Sequence, residues 1–244
     1  MAQIYEKNPD IGGTWYENRY PGCACDIPSH SYTFSFEPKL NFPAVYSGPD
    51  QIRAYLDEFC SKYMLRQFIH TGSTVISASW DQEISEWLVE VRKEETGEVI
   101  QDRCDILIHA TGYLNKPRLP KVAGLDRFRG VILHTASYDD QVSLAGKKVL
   151  LVGAGSSAVQ ALPAIQPFVD KVTIFIRSPS WFLPQIDAKR GLYSGEEIRR
   201  FASNPDLVTK IRQGNERVMN SIFSEVSIQD VHGAEVDESE QLST

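Results

Sequence analysis

The 244-residue chain has little cysteine, no basic excess and no long apolar run, and each lack narrows what it is. Its four cysteines, Cys23, Cys25, Cys60 and Cys104, are too few and too irregularly spaced for a stapled scaffold. Cys23 and Cys25 are too close for an ordinary disulfide and do not form a CxxC pair, so free thiols and no metal are expected. With 25 Lys plus Arg against 32 Asp plus Glu the net charge is −7, which argues against a nucleic-acid binder. No stretch approaches the roughly 18 apolar residues of a membrane span, and the opening Met1–Lys7 lacks the basic and apolar regions of a secretion signal. A cytoplasmic protein is the expectation. Apolar residues at 42% and charged residues at 23% describe an ordinary globular chain.

Six acids and no Lys or Arg fall between Glu225 and Thr244, a stretch poor in large apolar residues and therefore expected to be disordered. Before it, Ile52, Tyr55, Leu56, Phe59 and Tyr63 recur at a helical period behind the capping run Ser47-Gly48-Pro49-Asp50. Trp87, Val89 and Val91 alternate with Leu88, Glu90 and Arg92, mostly apolar in and polar out as in a half-buried strand, and Glu95-Thr96-Gly97 turns the chain back toward Val99. Asp105–Ala110 reads as a short buried strand stopped by Thr111-Gly112. Glu196–Phe201 and Asp206–Phe223 read as helices.

The clearest chemistry is at residues 148–177. Lys148–Val152 is a strand, Gly153–Ile165 a turn into a helix, and Val172–Ile176 the next strand, which together form a βαβ unit. Within it Gly153-Ala154-Gly155-Ser156-Ser157-Ala158 is a G-x-G-x-x-A turn in the strand-to-helix context that dinucleotide binding requires. Gly153 permits the tight turn, Gly155 lets a pyrophosphate approach the backbone, and Ala158 keeps the helix close to the sheet. The helix N-terminus then offers free N–H groups and positive potential to phosphate. The second strand leads into Arg177, where an NAD site would carry an acid; a guanidinium suits a 2′-phosphate, so NADP is favoured over NAD.

The run GGTWYENRYPGCACDIPSHSYTFSF from Gly12 to Phe36 resembles flavin-dependent Baeyer–Villiger monooxygenases, particularly fungal ones. Phe128, Gly130, His134, Tyr138 and Asp139 approach that family's signature, with Tyr replacing Trp at the last aromatic place. His109-Ala110-Thr111-Gly112-Tyr113 is similar to its A-T-G linker motif, and GAGSSA with Arg177-Ser178-Pro179 is similar to its NADP unit.

The resemblance implies an α/β fold of two Rossmann-like dinucleotide-binding units, the first incomplete, joined by a β-rich connection and followed by C-terminal helices. It implies a partial FAD-binding domain at 1–112, a signature linker at 113–146, an NADP unit at 147–184, a helical segment at 185–224 and an acidic tail at 225–244. FAD would be held by Glu6 at the adenosine ribose, by Thr14, Trp15, Tyr16 and Glu17 along the flavin, and by Tyr32 closing the pocket. Asp26 would stand beside flavin and nicotinamide as the catalytic residue, with Ala24, Cys25 and Gln160 among the cofactor contacts. Gly153, Gly155, Ser156, Ser157, Ala158, Arg177 and Ser178 would hold NADP. His134 would link movements rather than catalyse. The expected reaction inserts one oxygen of O2 beside the carbonyl of a ketone or related substrate, in secondary metabolism.

Two parts of the family pattern have no match in the chain. One is the first strand, glycine-rich turn and helix of the flavin domain. The other is the catalytic arginine, which the resemblance puts after residue 244. The alternative reading is therefore an NADP-binding remnant or partner module without oxygenase activity, and a further one is an unstable, inactive product.

Overall fold

The computed structural model describes residues 2–112, 114, 116–180 and 191–226, with the side chains of 223–226 excepted. It is mixed α/β and packs as two units, residues 1–29 with 46–184 and residues 30–45 with 185–244.

In the first unit, strand β1 (Ile4–Tyr5) leads through the single-turn helix α1 (Thr14–Glu17) to helix α2 (Pro49–Lys62). Pro49 opens α2 where a missing N–H costs nothing, and the Gln51 side chain accepts the Gly48 N–H at 3.0 Å. Of the periodic residues Ile52 and Tyr55 are buried and Leu56 and Phe59 half-buried, with Cys60 buried too, whereas Tyr63, the C-cap of α2, is exposed. Ser47 is buried too, and its hydroxyl lies 2.7 Å from that of Ser29 rather than on the helix end. Strand β2 (Ile69–His70) then pairs with β1 in parallel, Ile4 opposite Ile69 and Tyr5 opposite His70.

Strands β3 (Ser73–Asp81), β4 (Glu86–Lys93) and β5 (Val99–Cys104) form an antiparallel sheet with β4 in the middle. The alternation in β4 buries Val89 and Val91, and Trp87 meets Trp80 edge to face at 5.7 Å. Tyr5 joins this sheet to β1 by donating its hydroxyl to Asp102 at 2.6 Å; burial, then that bond, pushes its pKa up to about 12. Farther on, β6 (Lys148–Val152), helix α3 (Ser156–Ile165) and β7 (Lys171–Phe175) make a parallel strand pair bridged by a helix, with Val152 opposite Phe175. Ala161 and Ile165 are buried, whereas Leu150, Val152 and Phe175 leave one sheet face open.

The strand read into Asp105–Ala110 does not form. The segment is irregular, Ile106 and Ile108 are 78% and 81% exposed, and no described strand lies alongside it. Apolar β-branched residues set a preference, but a strand exists only where a neighbour takes up its N–H and C=O groups.

In the second unit, Ala44 bridges Leu192, Val45 N–H donates to the Gly191 carbonyl and Tyr193 N–H to the Pro43 carbonyl, both at 2.9 Å. Helix α4 (Gly195–Ala202) starts with a capping box in which Ser194 Oγ accepts the Glu197 N–H at 3.2 Å and Glu197 accepts the Ser194 N–H at 2.8 Å. Helix α5 (Pro205–Val226) runs two residues into the stretch expected to be a disordered tail. Residues 227–244 of that tail lie outside the described residues.

Its core is aromatic. His30 is 1% exposed, stacked on Tyr193 and edge-on to Phe42 and Phe201. Nδ1 lies 3.3 Å from the Lys39 carbonyl, and Nε2 has no hydrogen-bond partner among the described residues. Burial, with Arg212 adding to it, holds the imidazole below its ordinary value of 6.5, against a smaller upward pull from the Lys39 carbonyl. The folded pKa thus lies below the unfolded one, so below pH 6.5 the unfolded chain binds more protons and stability falls as pH falls. Above the unfolded value both states are neutral at His30 and this dependence vanishes. The melting temperature should therefore drop from pH 7 to pH 5, and His30→Phe should flatten that slope. An unchanged slope in thermal melts of the variant would refute the assignment.

Candidate functional site

The turn between β6 and α3 leaves the first turn of the helix without a side-chain cap. Gly153 has φ +116°, a conformation L side chains rarely adopt, and its N–H extends the ladder to the Phe175 carbonyl at 2.9 Å. Gly155 is the N-cap of α3, with φ −75° and ψ 177°, and no side chain caps the helix. Its carbonyl accepts the Ala158 and Val159 N–H groups at 2.9 and 3.1 Å. The N–H groups of Ser156 and Ser157 precede the first intrahelical bonds. A Cβ built on Gly155 meets nothing within 4 Å, so the glycine leaves room in front of this helix end instead of filling a gap in the protein. Arg177 and Ser178 follow β7 and are exposed.

A loop packs against the same helix. Gly22, φ +79°, lies so close that a Cβ would stand 2.4 Å from the Gln160 carbonyl oxygen and 2.9 Å from Ala164 Cβ. Gln160, which the resemblance puts among the cofactor contacts, bonds this loop through its carboxamide. Oε1 accepts the Tyr20 hydroxyl at 2.7 Å and the Ala24 N–H at 3.4 Å, and Nε2 donates to the Ala24 carbonyl at 2.9 Å. Cys25, 3% exposed, donates its N–H to the Ser47 carbonyl at 2.9 Å, and burial pushes its thiol up to about 11. Asp26 follows, exposed. All four cysteines are free, and the described residues contain no group of three His, Cys, Asp or Glu able to hold a metal. Tyr20 and Gly22 went unremarked in the sequence; their partners lie far along the chain, and no local pattern signals them.

At the end of β1, Glu6 Oε1 accepts the Asn8 N–H at 2.8 Å, which fixes the carboxylate over a turn. Glu17 takes the Asn8 side-chain N–H at 3.0 Å and pairs with Lys7 at 2.7 Å. In α1 the half-buried Trp15 donates its backbone N–H to the Gly12 carbonyl at 2.9 Å, Thr14 is exposed, and Arg19 and Arg53 each lie over the Tyr16 ring, 4.8 and 5.0 Å from its centroid. A shallow cleft beside it is lined by Asp10, Asp57, Arg53 and Arg66. The Ile11 N–H, then Arg66 and Arg53, hold the Asp10 carboxyl below its ordinary range, and the opposed charges largely cancel. Tyr32 belongs to the second unit, where it is exposed. In the signature segment the Phe128 ring lies over Gly130, and His134 Nδ1 accepts the Ala136 N–H at 3.0 Å, a capping role. Tyr113 lies outside the described residues.

Residues 3–204 match the flavin-binding monooxygenase-like family. A Baeyer–Villiger monooxygenase of Streptomyces coelicolor is 41% identical over 212 residues, covering 86% of this chain and 39% of that protein. The FAD-binding monooxygenase stcW of Emericella nidulans is 38% identical over 230 residues, covering 90% and 38%. Among solved structures, cyclohexanone monooxygenase from Rhodococcus sp. Phi1 bound to NADP+ superposes with a TM-score of 0.70 at 32% identity, over 83% of this chain and 37% of that one. The chain thus spans about two fifths of the length of the curated relatives it matches. Sequence match over most of the chain, the glycine turn ahead of α3 and the shared fold agree, and the chain belongs to the flavin-binding monooxygenase-like family.

Proposed function

We propose that the chain carries nucleotide-handling parts of an FAD- and NADPH-dependent monooxygenase of Baeyer–Villiger type, which inserts one oxygen beside the carbonyl of a ketone or related compound. The observation that carries this is the uncapped N-terminus of α3 behind Gly155, where the absence of a side chain leaves space for a phosphate. In this reading β6–α3–β7 is the NADP-binding Rossmann unit within residues 147–184, and residues 1–112 are part of the FAD-binding one. We place the reaction in secondary metabolism, in line with the fungal resemblance of the run from Gly12 to Phe36. Among the described residues no helix is long and apolar enough to cross a membrane, in keeping with a cytoplasmic setting.

FAD, when bound, would supply the redox chemistry with oxygen. The chain's own residues bind and orient. Glu6, its carboxylate already directed by the Asn8 N–H, would accept ribose hydroxyls. Trp15, beside Thr14, Tyr16 and Glu17 on α1, would pack on the ring. Ser156 and Ser157 would donate to phosphate, and Arg177 with Ser178 would take the 2′-phosphate. Asp26, exposed on the loop held by Gln160, would face the reacting end of the nicotinamide.

Arg177→Ala tests the nucleotide assignment. Loss of a charged hydrogen-bond partner costs on the order of 1.5–3 kcal/mol, so NADPH affinity should fall about tenfold or more while NADH affinity stays nearly constant. Equal losses for the two nucleotides in a titration would remove the 2′-phosphate role.

A second reading, an NADP-binding module that works without oxygenase activity beside another protein, is favoured by the bare sheet face of Leu150, Val152 and Phe175. Purified protein that retains the yellow absorbance of oxidised flavin separates the first reading from the second.

A further inference from the structure

Helix α1 is a single turn of four residues with no buried side chain, too short to hold its own place. It is entered through two glycines at positive φ, Gly12 at +127° and Gly13 at +49°. A Cβ on Gly13 meets nothing within 4 Å, which leaves the start of α1 uncovered. Gly12 is crowded instead: a Cβ there would stand 3.2 Å from Arg53 Cγ and 3.3 Å from Tyr16 Cβ. Arg53, on α2, does more than fill this space. Its Nη2 donates to Asp10 Oδ2 at 3.2 Å, and its guanidinium carbon lies over the Tyr16 ring, 5.0 Å from the centroid. One side chain of α2 thus meets the residues ahead of α1, the glycine entry, and an aromatic residue of α1 itself. The carboxylate it grips is held in turn. Arg66 donates to Asp10 Oδ1 at 3.4 Å and pairs with Asp57 of α2.

Charge alone would suit a lysine at this carboxylate. Arg53 Nε is buried and has no hydrogen-bond partner among the described residues, so the extra donor does not explain an arginine. What arginine adds is a flat cation that covers a ring while an in-plane N–H reaches a carboxylate. Arg19 also lies over Tyr16, at 4.8 Å, but it is exposed and donates to the Tyr16 carbonyl at 3.0 Å. It belongs to the same stretch of chain as α1, moves with it, and cannot set its place against α2.

We propose that Arg53 is a positioning residue for the flavin, setting from α2 where α1, and with it Trp15, stands beside the ring. The proposal rests on the reading of residues 14–17 as flavin contacts. Tied through Asp10 alone, α1 could pivot about Gly12 and Gly13. The guanidinium over Tyr16 removes that freedom at the residue next to Trp15.

The test titrates FAD into the 244-residue chain as wild type, Arg53→Lys, Arg53→Met, Tyr16→Leu, the double variant Arg53→Lys with Tyr16→Leu, and Arg19→Lys as the control. Two quantities are read: the affinity, and the visible circular dichroism of the bound flavin at saturation, which reports the surroundings of the ring whatever the affinity. Arg53→Lys keeps a charge for Asp10 and loses the plane, so FAD should bind about fivefold more weakly and the saturated dichroic band should change. Arg53→Met, which also loses the charged hydrogen bond, should bind about tenfold or more weakly. In the Tyr16→Leu background Arg53→Lys should have little further effect, because the ring it acts on is gone. Arg19→Lys should match wild type in both quantities. A merely structural arginine would lower the melting temperature and the affinity and leave the saturated band unchanged in every Arg53 variant, which would overturn the proposal and leave the flavin reading standing. Additive effects in the double variant, or an equal change in Arg19→Lys, would overturn it likewise, and these comparisons hold even if Arg53→Met fails to fold. No FAD binding by wild type would overturn the flavin reading and the proposal together.

Discussion

Gly155→Asp should abolish NADP(H) binding while leaving the fold intact or slightly more stable. The two halves of this result come from one geometry. Gly155 is the N-cap of α3, at φ −75° and ψ 177°, which any residue adopts. A Cβ there meets nothing within 4 Å, so a larger side chain needs no rearrangement. Aspartate is among the best N-cap residues: its carboxylate accepts a first-turn N–H and lies at the positive end of the helix, a gain of a few tenths of a kcal/mol over glycine. That carboxylate then occupies the space, the N–H groups and the potential that a pyrophosphate needs, and it repels the phosphate. A loss of at least about 100-fold in affinity, roughly 2.7 kcal/mol, is expected. Isothermal titration with NADPH and a thermal melt decide the matter together. Retained binding would mean that the dinucleotide does not lie at this helix end. Lost binding with a collapsed melting temperature would mean that Gly155 serves the fold.

The β6–turn–α3–β7 unit was legible in the sequence because its elements are local. The strand, the turn and the helix are consecutive, the glycine spacing reflects a backbone need, and β6 and β7 pair across the helix that joins them. The alternation that buries Val89 and Val91 is local in the same sense. Failure came where structure depends on distant partners. Ile106 and Ile108 have the composition of a strand, yet pairing is a property of two segments, and no described strand lies beside them. The hydrogen bonds of Gln160 reach Tyr20 and Ala24, respectively 140 and 136 positions away. The aromatic group around His30 draws on Tyr193 and Phe201 from the far part of the chain and shows no spacing to betray it.

Gly22→Ala should be the most destabilising single-methyl change in the first unit, and its effect should be local to the loop and α3. Two costs combine at this position. The backbone has φ +79°, where an L side chain loses about 1–2 kcal/mol relative to glycine. The added Cβ would also stand 2.4 Å from the Gln160 carbonyl oxygen and 2.9 Å from Ala164 Cβ. Both obstacles belong to the body of a helix and cannot swing aside as a side-chain tip does, so overpacking adds about 1–3 kcal/mol. The loop answers by lifting off α3, and the Tyr20 and Ala24 bonds to Gln160 go with it. Gly72→Ala is the matched control, since Gly72 has φ +56° with nothing within 4 Å of a Cβ and carries the conformational cost alone. Denaturant unfolding should place Gly22→Ala below Gly72→Ala by about 1–3 kcal/mol, the contribution of close approach. Limited proteolysis should cut the Gly22 variant within 19–26 and spare the same stretch in the control. Equal stabilities for the two variants, with 19–26 uncut in both, would show that the loop does not rest on α3.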